Sequence, residues 1–459
     1  MLATTWKCGS RTFDLSRPLV MGICNVTPDS FSDGGDHDSF DEAVAYALKM
    51  VEEGADIIDV GGESTRPGSA EVSVEEETRR VVPVISALAG RGIAVSVDTR
   101  HAPVARAALD AGACIINDIS GFRDEAMREV AQGSDAGLVI MHMLGTPEHM
   151  QDDPHYDDVV SEVEDSLVRM ARRLEAQGVE RDRICLDPGV GFGKLAEHNA
   201  ALLLATERFA NAGYPFMVAV SRKSFIGLRS GLDTPKERDL ASALCAAAAC
   251  ADGARVARVH NVALTREVLS TSRRALVALG SNQANPVEQL DDALEALRKT
   301  QGVWVSRVST YVTSEPAYLA EQDEFVNAVA QVQTTLAPQE LLDALHAIED
   351  SQGRVRETPN GPRTIDLDIV DYEGVESSQD ELVLPHPRAL ERDFVVTPLL
   401  EIAPGYVLAD GTPVTRANVT VGKVTGQASF LSLSQLHGRC RIPAVNFLSY
   451  GIAVDVITS

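Results

Sequence analysis

LVMGICNVTPDSFSDGG (19–35) is the stretch that decides the fold of the first half of this chain. An apolar run, Leu19 to Ile23, reaches Asn25 and then opens into Asp, Pro, Ser and Gly. An apolar strand that ends in an amide and runs into a Gly-rich segment fits a binding site at a strand's carboxyl end. Working outward, the same pattern recurs in DIIDVGGES (56–64), AVSVDT (94–99), CIINDISG (114–121), LVIMHM (138–143), ICLDPG (184–189), FMVAVSRKS (216–224) and ARVARVH (254–260). Segments with helical periodicity separate these runs, for example FDEAVAYALKMVEEG (40–54) and VSEVEDSLVRMARRLEAQG (160–178). Strands apolar on both faces and alternating with helices predict a parallel sheet. A doubly wound open sheet is the competing topology; eight such units favour a (β/α)8 TIM barrel.

The last residues of these runs are Asn25, Glu63, Asp98, Asn117, His142, Asp187, Ser221 with Lys223, and Arg258 with His260. In a barrel these ends converge on one rim, where active sites of this fold sit. A single Asn or Asp there is an ordinary helix cap or turn former. A full set supplying amide, carboxylate, ammonium, guanidinium and imidazole to one mouth is not. Asp98, Asn117, Asp187 and Lys223 suit a flat heterocycle with several N–H groups and a carbonyl, because a carboxylate accepts paired N–H donors. Arg66, Arg258 and His260 suit a phosphate-like anion.

Composition sets the frame. At 459 residues the chain calls for two or three domains. With 44% hydrophobic and 24% charged residues it reads as globular and well supplied with core. A formal charge of −26 disfavours nucleic acid and anionic membranes as general partners. An anionic substrate therefore needs a local cluster of Arg and Lys. The seven cysteines are scattered without a CxxC pair, which suits reduced thiols in a cytosol. The N-terminus lacks the apolar stretch of a signal peptide, and Ala241 to Ala251 is too short for a membrane span. A cytoplasmic location with no membrane association is the expectation.

GICNVTPDSFSDGG, GGESTRPG, SVDT, INDISG, DPGVGFGK, SRKSFIG and RVH, in this order, resemble the dihydropteroate synthase family over roughly residues 14–271. The resemblance implies condensation of 6-hydroxymethyl-7,8-dihydropterin diphosphate with p-aminobenzoate to give dihydropteroate and pyrophosphate. By the same resemblance Asp98, Asn117, Asp187 and Lys223 hold the pterin. Asn25, Arg66, Arg258 and His260 hold the diphosphate, with Asn25 contacting a bridging Mg2+. Thr65, Pro67, Phe31 and Ser221 shape the p-aminobenzoate pocket. Asp98, Lys223, Arg258 and His260 carry the catalytic assignments, and a homodimer through the barrel is implied. Two tempting motifs fail on spacing. DPGVGFGK has Pro188 where a P-loop needs Gly, and residues 29–42 lack EF-hand spacing.

After a polar break, STSRR (270–274), the periodicity restarts. Strand 275–282, helix 286–300, strands 303–313 and 325–336, helix 338–353 and strand 364–372 give a β-α-β-β-α-β order, the α+β ferredoxin-like arrangement. Within IDLDI, Asp366 and Asp368 share one strand face, and two adjacent carboxylates call for a cation such as Mg2+. GRVR (353–356), GPR (361–363), Arg388 and Arg392 add guanidinium groups apt for phosphate, so a nucleotide triphosphate site is expected.

ALGSN, FVNAV, IEDSQGRVR, GPRTIDLDI and LPHPRALERDF resemble 6-hydroxymethyl-7,8-dihydropterin pyrophosphokinase over roughly 275–420. The resemblance implies transfer of pyrophosphate from ATP to the pterin's hydroxymethyl group, with AMP released. It places two Mg2+ on Asp366 and Asp368, and ATP on Arg354, Arg363, His386 and Arg392, with Arg354 and Arg363 catalytic. Phe325 and Asn327 help hold the pterin, and Glu349 with Arg356 completes the ATP-binding surroundings. The segment ETPN (357–360) departs from the family, whose loop commonly carries Arg and Trp, and implies a less tightly closed kinase. The expected organisation is therefore 1–271 synthase, 275–426 pyrophosphokinase and 427–459 a tail of no assigned role. The product of the second half is the substrate of the first. Rival readings at this point are a pterin-dependent methyltransferase and a pterin-binding scaffold with one inactive half.

Overall fold

The computed structural model describes residues 2–27, 36–64, 72–318, 321–354 and 361–428, with the side chains of 36–39 excepted. The chain divides into two compact units. One holds residues through Leu269 apart from Leu228–Asp233; the other holds Leu228–Asp233 and the residues from Ser270 on.

The first unit opens with a hairpin, β1 (Thr5–Cys8) and β2 (Arg11–Asp14). Its parallel strands are β3 (Leu19–Asn25), β4 (Ile57–Gly61), β5 (Val95–Asp98), β6 (Ile115–Asp118), β7 (Gly137–Met141), β8 (Ile184–Asp187), β9 (Met217–Val218) and β10 (Val256–Val259). They run in the order β8-β7-β6-β5-β4-β3-β10-β9. A parallel bridge between Leu186 and Phe216, with the Leu186 N–H donating to the Pro215 carbonyl at 2.9 Å, joins the two ends into a barrel. Barrel closure leaves no exposed edge.

Helices α1 (Asp36–Glu52), α2 (Val74–Ala89), α3 (Ala102–Asp110), α4 (Glu125–Gln132) and α5 (Val159–Ala176) follow the first strands. Then come α6 (Ala196–Leu204), α7 (Thr206–Ala210), α8 (Ser224–Ser230), α9 (Asp239–Ala251) and α10 (Val262–Thr271). The Ala-rich Ala241–Ala251 stretch is thus a buried helix. Among the described residues no helix is long and apolar enough to cross a membrane.

The β1–β2 hairpin, which the sequence reading left without structure, caps the amino-terminal end of the barrel. Trp6 is fully buried there with Cys8, Leu15, Met21, Ile57, Val139 and Met217, and its indole N–H donates to the Arg183 carbonyl at 2.9 Å. Its signal, two short runs of four residues, is too weak to separate from a loop. With one end plugged, the carboxyl ends of the strands form the accessible mouth.

The second unit contains β11 (Arg273–Ser281), α11 (Pro286–Lys299), β12 (Val303–Val308), β13 (Val312–Ser314), β14 (Phe325–Thr334), α12 (Pro338–Ser351) and β15 (Asp366–Tyr372). A small hairpin, β16 (Ser377–Gln379) with β17 (Leu382–Leu384), helix α13 (Asp393–Ile402) and β18 (Val424–Gln427) complete it. Sheet order is β15-β11-β14-β13-β18, with β12 also paired to β14. That is the ferredoxin-like order, extended by an edge strand. The run 303–313 is two strands: β12 pairs with β14 up to Val308 opposite Ala330, the ladder is interrupted at 309–311, and β13 resumes with Val312 opposite Asn327. The STSRR stretch is not a linker: α10 extends through Thr271 and β11 begins at Arg273.

The sheet has two covered faces. Val277, Leu279, Leu367 and Ile369 pack against α11 and α12 residues such as Leu294 and Leu345. Leu276, Val329 and Val370 pack against Val395, Val396 and Leu399 of α13. Alternation along β15 therefore turns Asp366 and Asp368 to the face carrying α13.

Candidate active sites

At the barrel mouth the central feature is a buried charge network. Arg258, from β10, donates through Nε to Asp59 Oδ2 at 2.6 Å and through Nη2 to Asp98 Oδ2 at 2.6 Å. Asp59 Oδ2 also accepts from the Asn117 side-chain amide at 3.0 Å. Four strands, β4, β5, β6 and β10, thus meet through side chains. Asp59 was not anticipated, although its signal was present: one carboxylate inside a run otherwise apolar on both faces. It is fully buried and keeps Oδ1 without a partner.

Burial pushes Asp98 up to about 7, a rise moderated by Arg258 and reinforced by Asp59. Against its own burial, Arg258 is held protonated by Asp59 and Asp98. Asp187, at the end of β8, accepts from the Gly189 N–H at 2.8 Å, and burial raises its pKa against the opposing charge of Lys223. Burial lowers Lys223 to about 8, while Asp187 favours its charged form. Lys223 donates to the Val190 carbonyl, and its Nζ lies 4.7 Å from the Phe192 ring centroid. Gly191 makes this possible: a Cβ there would stand 3.1 Å from Lys223 Cδ, at a φ of +83°.

Ser221 Oγ lies 3.0 Å from His260 Nδ1 and accepts the His260 backbone N–H at 3.1 Å. Asn25 closes β3, with its side-chain oxygen 3.5 Å and an Asp98 oxygen 3.7 Å from where a Cβ on Gly61 would stand. His142 sits beneath the mouth, its Nδ1 3.0 Å from Lys194 Nζ. Lys194, not singled out from sequence, also donates to the carbonyls of Phe192 at 2.9 Å and His142 at 3.3 Å. Burial lowers Lys194 to about 7 and His142 to about 3. Glu63, past β4, is bound by Arg100 away from the Arg258 network. Phe31, Thr65, Arg66 and Pro67 lie outside the described residues.

The second unit holds a cavity of about 350 Å³ lined by both aspartates of IDLDI. Arg354 and Arg363 both pair with Asp366, and Arg392 lies 3.7 Å from Asp368 Oδ2. Burial raises Asp368 to about 6, with Asp366 adding to the rise and Arg392 opposing it. Phe325, Asn327, His386 and Arg388 line the same cavity, and so do Phe394 and Tyr318, which the sequence reading did not single out. Phe394 follows Arg392 on α13, so its apolar signal is that of an ordinary core position.

Asn327 donates to Ser314 Oγ at 3.0 Å, and a Cβ on Gly280 would approach its Oδ1 to 2.9 Å. Arg392 Nε is 3.4 Å from the Tyr318 hydroxyl, and the Arg388 guanidinium lies 4.9 Å from the same ring. Burial, with Arg392 and Arg388 adding to it, lowers His386 to about 4. Glu349 is placed differently from the other ATP-site expectations. It is not in the cavity wall but behind it, paired with Arg354 and accepting the Leu367 N–H at 2.7 Å. Arg356 and segment 357–360 lie outside the described residues.

Residues 21–260 match the family model described as pterin binding enzyme. The chain belongs to the pterin binding enzyme family. Residues 276–404 of this pterin binding enzyme match a second model, 7,8-dihydro-6-hydroxymethylpterin-pyrophosphokinase. Over 268 residues the chain is 46% identical to the dihydropteroate synthase of Escherichia coli K12, covering 58% of this chain and 95% of that protein. Among solved structures, dihydropteroate synthase of Xanthomonas albilineans with 4-aminobenzoic acid is 44% identical at a TM-score of 0.56, covering 58% of this chain and 96% of that one. Burkholderia cenocepacia dihydropteroate synthase complexed with 7,8-dihydropteroate is 43% identical at a TM-score of 0.54, covering 59% of this chain and 95% of that one. The pterin binding enzyme thus joins a synthase barrel to a pyrophosphokinase in one chain.

Proposed function

We propose that this bifunctional folate-synthesis enzyme carries out two consecutive steps at the two mouths described above. The second unit moves pyrophosphate from ATP to the hydroxymethyl oxygen of 6-hydroxymethyl-7,8-dihydropterin and releases AMP. The barrel then condenses the diphosphate with p-aminobenzoate to form 7,8-dihydropteroate and pyrophosphate.

The observation that carries the barrel assignment is Arg258 held between Asp59 and Asp98 beside Asn117. In this reading Asp187 and Asn117 accept and donate along the pterin's edge, and Lys223 meets its carbonyl side. Departure of pyrophosphate leaves negative charge on the leaving group, which Arg258 and His260 stabilise. Positive charge grows on the pterin methylene, and the carboxylate of Asp98 faces it. These groups are fixed before reaction, so they stabilise developing charge without reorganising. The arylamine is a nucleophile as it stands, and no strong base is required. Ser221, tied to His260, serves the p-aminobenzoate side; by family resemblance Thr65 belongs there too and Arg66 with the diphosphate.

In the second unit Phe325, Phe394 and Asn327 suit a flat ring, the aromatic faces giving area and the amide giving orientation. Arg354, Arg363, Arg392, Arg356 and His386 take the phosphates, and Glu349 fixes Arg354. Catalysis there is positioning and charge neutralisation. Hard-oxygen donors fit Mg2+ in both places: Asn25 beside Asp98, and the Asp366–Asp368 pair, whose mutual repulsion a cation relieves. Mg2+ bound there neutralises phosphate oxygens in the ground and transition states.

Buried thiols, such as Cys8, Cys24 and Cys185, suit the reducing cytosol. A homodimer through the barrel rests on family resemblance and is checked by light scattering of the intact chain. One incubation tests the activity: hydroxymethyl-dihydropterin, ATP, Mg2+ and p-aminobenzoate yield AMP, pyrophosphate and dihydropteroate. Diphosphorylated pterin accumulating without condensation would refute the barrel assignment.

A further inference from the structure

Beside the barrel mouth, and apart from the Arg258 network, three side chains from separate elements face one another. Glu63 leaves β4, Glu77 stands in the first turn of α2, and His101 precedes α3. His101 Nε2 lies 3.7 Å from Glu63 Oε2 and 3.9 Å from Glu77 Oε2. One donor atom from each residue lies within 4.8 Å of the others. We propose that Glu63, Glu77 and His101 bind a divalent cation of the zinc class.

Glu77 carries the argument. It is fully buried, and neither carboxylate oxygen has a hydrogen-bond partner. His101 Nε2 is likewise buried without one. A buried carboxylate in this state is costly unless it takes up a proton or a cation meets it. Arg100 and Arg80 oppose, through their charge, the rise that burial imposes on Glu77, but neither hydrogen-bonds it: Arg100 Nε and Nη2 donate to Glu63 at 3.1 and 3.0 Å. Glu63 also accepts the Val72 N–H at 3.3 Å. Arg80 is spent on Glu76 at 2.7 Å and the Gly62 carbonyl at 2.9 Å. Burial pushes Glu77 up to about 7; Thr99 moderates the rise without meeting hydrogen-bond geometry.

The separations fit an ion better than direct contact. They exceed hydrogen-bond distance. Ligands at about 2.1 Å from a tetrahedral ion stand about 3.4 Å apart. The two His101 contacts, at 3.7 and 3.9 Å, need close by only a few tenths of an ångström, while the Glu63 and Glu77 oxygens, within 4.8 Å of each other, draw in to the same spacing. One imidazole with two carboxylates selects a borderline cation over Mg2+, which prefers oxygen alone. Bound there, the ion ties the exits of β4 and β5 to the start of α2, next to Asp98.

The test reads metal uptake, so it is independent of the condensation reaction. The intact chain carrying Asp366→Asn and Asp368→Asn, which removes the competing carboxylate pair, is stripped with chelator and titrated with Co2+ alone. The expected result is one equivalent bound with visible d–d absorption, displaced by Zn2+, and a thermal midpoint raised by Zn2+. His101→Gln and Glu77→Gln each weaken uptake by more than about tenfold, since losing a direct ligand costs at least what losing an outer partner does. His101→Lys guards against misfolding: its ammonium meets Glu77 directly, so it folds without metal, binds no Co2+ and keeps its midpoint when Zn2+ is added. Absence of uptake in the parent, uptake indifferent to these variants, or a His101 imidazole resonance that moves with pH but not with Zn2+ overturns the proposal.

Discussion

The barrel mouth and the second unit's cavity both gather acidic and basic groups, yet they hold them at different depths. Asp59 is 0% and Asp187 2% exposed, and Arg258 links three strands through partly buried bonds to Asp59 and Asp98. In the second unit the side chains of Asp366 and Asp368 are 17% and 41% exposed, on an open cavity wall. A submerged ion network is part of the fold, because removing one partner strands the others in low dielectric. A carboxylate as exposed as Asp368 is screened and re-solvated by water, so its loss touches function first. The same residue types carry both stability and chemistry at the barrel mouth, and chemistry first in the second unit's cavity.

Arg258→Met probes this most strongly. Condensation with supplied pterin diphosphate falls by about 10²–10³-fold or more. Breaking a buried pair also lowers stability by about 3–5 kcal/mol, read by urea unfolding of the barrel, while AMP formation persists in native buffer. Unchanged stability would break the contrast. Asp368→Asn comes next. AMP release drops by about 10²-fold or more, whereas the unfolding free energy from urea titration changes by no more than about 0.5 kcal/mol. Equal loss of condensation would show a global defect instead.

Lys194 sharpens the barrel side through pH. Its folded pKa is about 7 against an ordinary 10.5. Between these values the unfolded chain binds a proton that the folded one does not, so stability rises with pH by up to about 1.4 kcal/mol per unit. Lys194→Met lacks that slope, and the wild-type advantage over it grows from pH 7 to pH 9 in urea titrations. A parallel pair of curves would mean that Lys194 is not submerged. Phe394→Ala is the mildest test. Loss of an aromatic contact worth about 0.5–1.5 kcal/mol raises the pterin KM of AMP formation about three- to tenfold, with kcat little changed.

Legibility divides along the same line. In the second unit a local motif brings Asp366, Asp368 and Arg363 together, because alternation along one strand turns both carboxylates to one face and Arg363 lies three residues away. Helix α13's role as the second cover of the sheet was missed, and Phe394 with it, since its apolar pattern does not say which sheet face it meets. In the barrel, strand ends were readable as a set because parallel strands share a direction. Asp59 was passed over, since a carboxylate within an apolar run declares its meaning only once Arg258, distant in the chain, arrives beside it. Lys194 and Glu77 escaped for the same reason. The β1–β2 hairpin was too short to read, and it decides which end of the barrel stays accessible.

By itself the sequence determined periodicity and chemistry: alternating apolar strands and helices, a ferredoxin-like order, and the residue types at each strand's end. These follow from local backbone geometry and neighbouring side chains, which a linear chain carries in plain order. Tertiary structure alone decided depth and partnership: that Arg258 is shared by Asp59 and Asp98, that Glu349 stands behind Arg354, and that Glu77 is buried facing His101. Desolvation and ion pairing depend on which distant segments close around a group, and that is settled only when the chain packs.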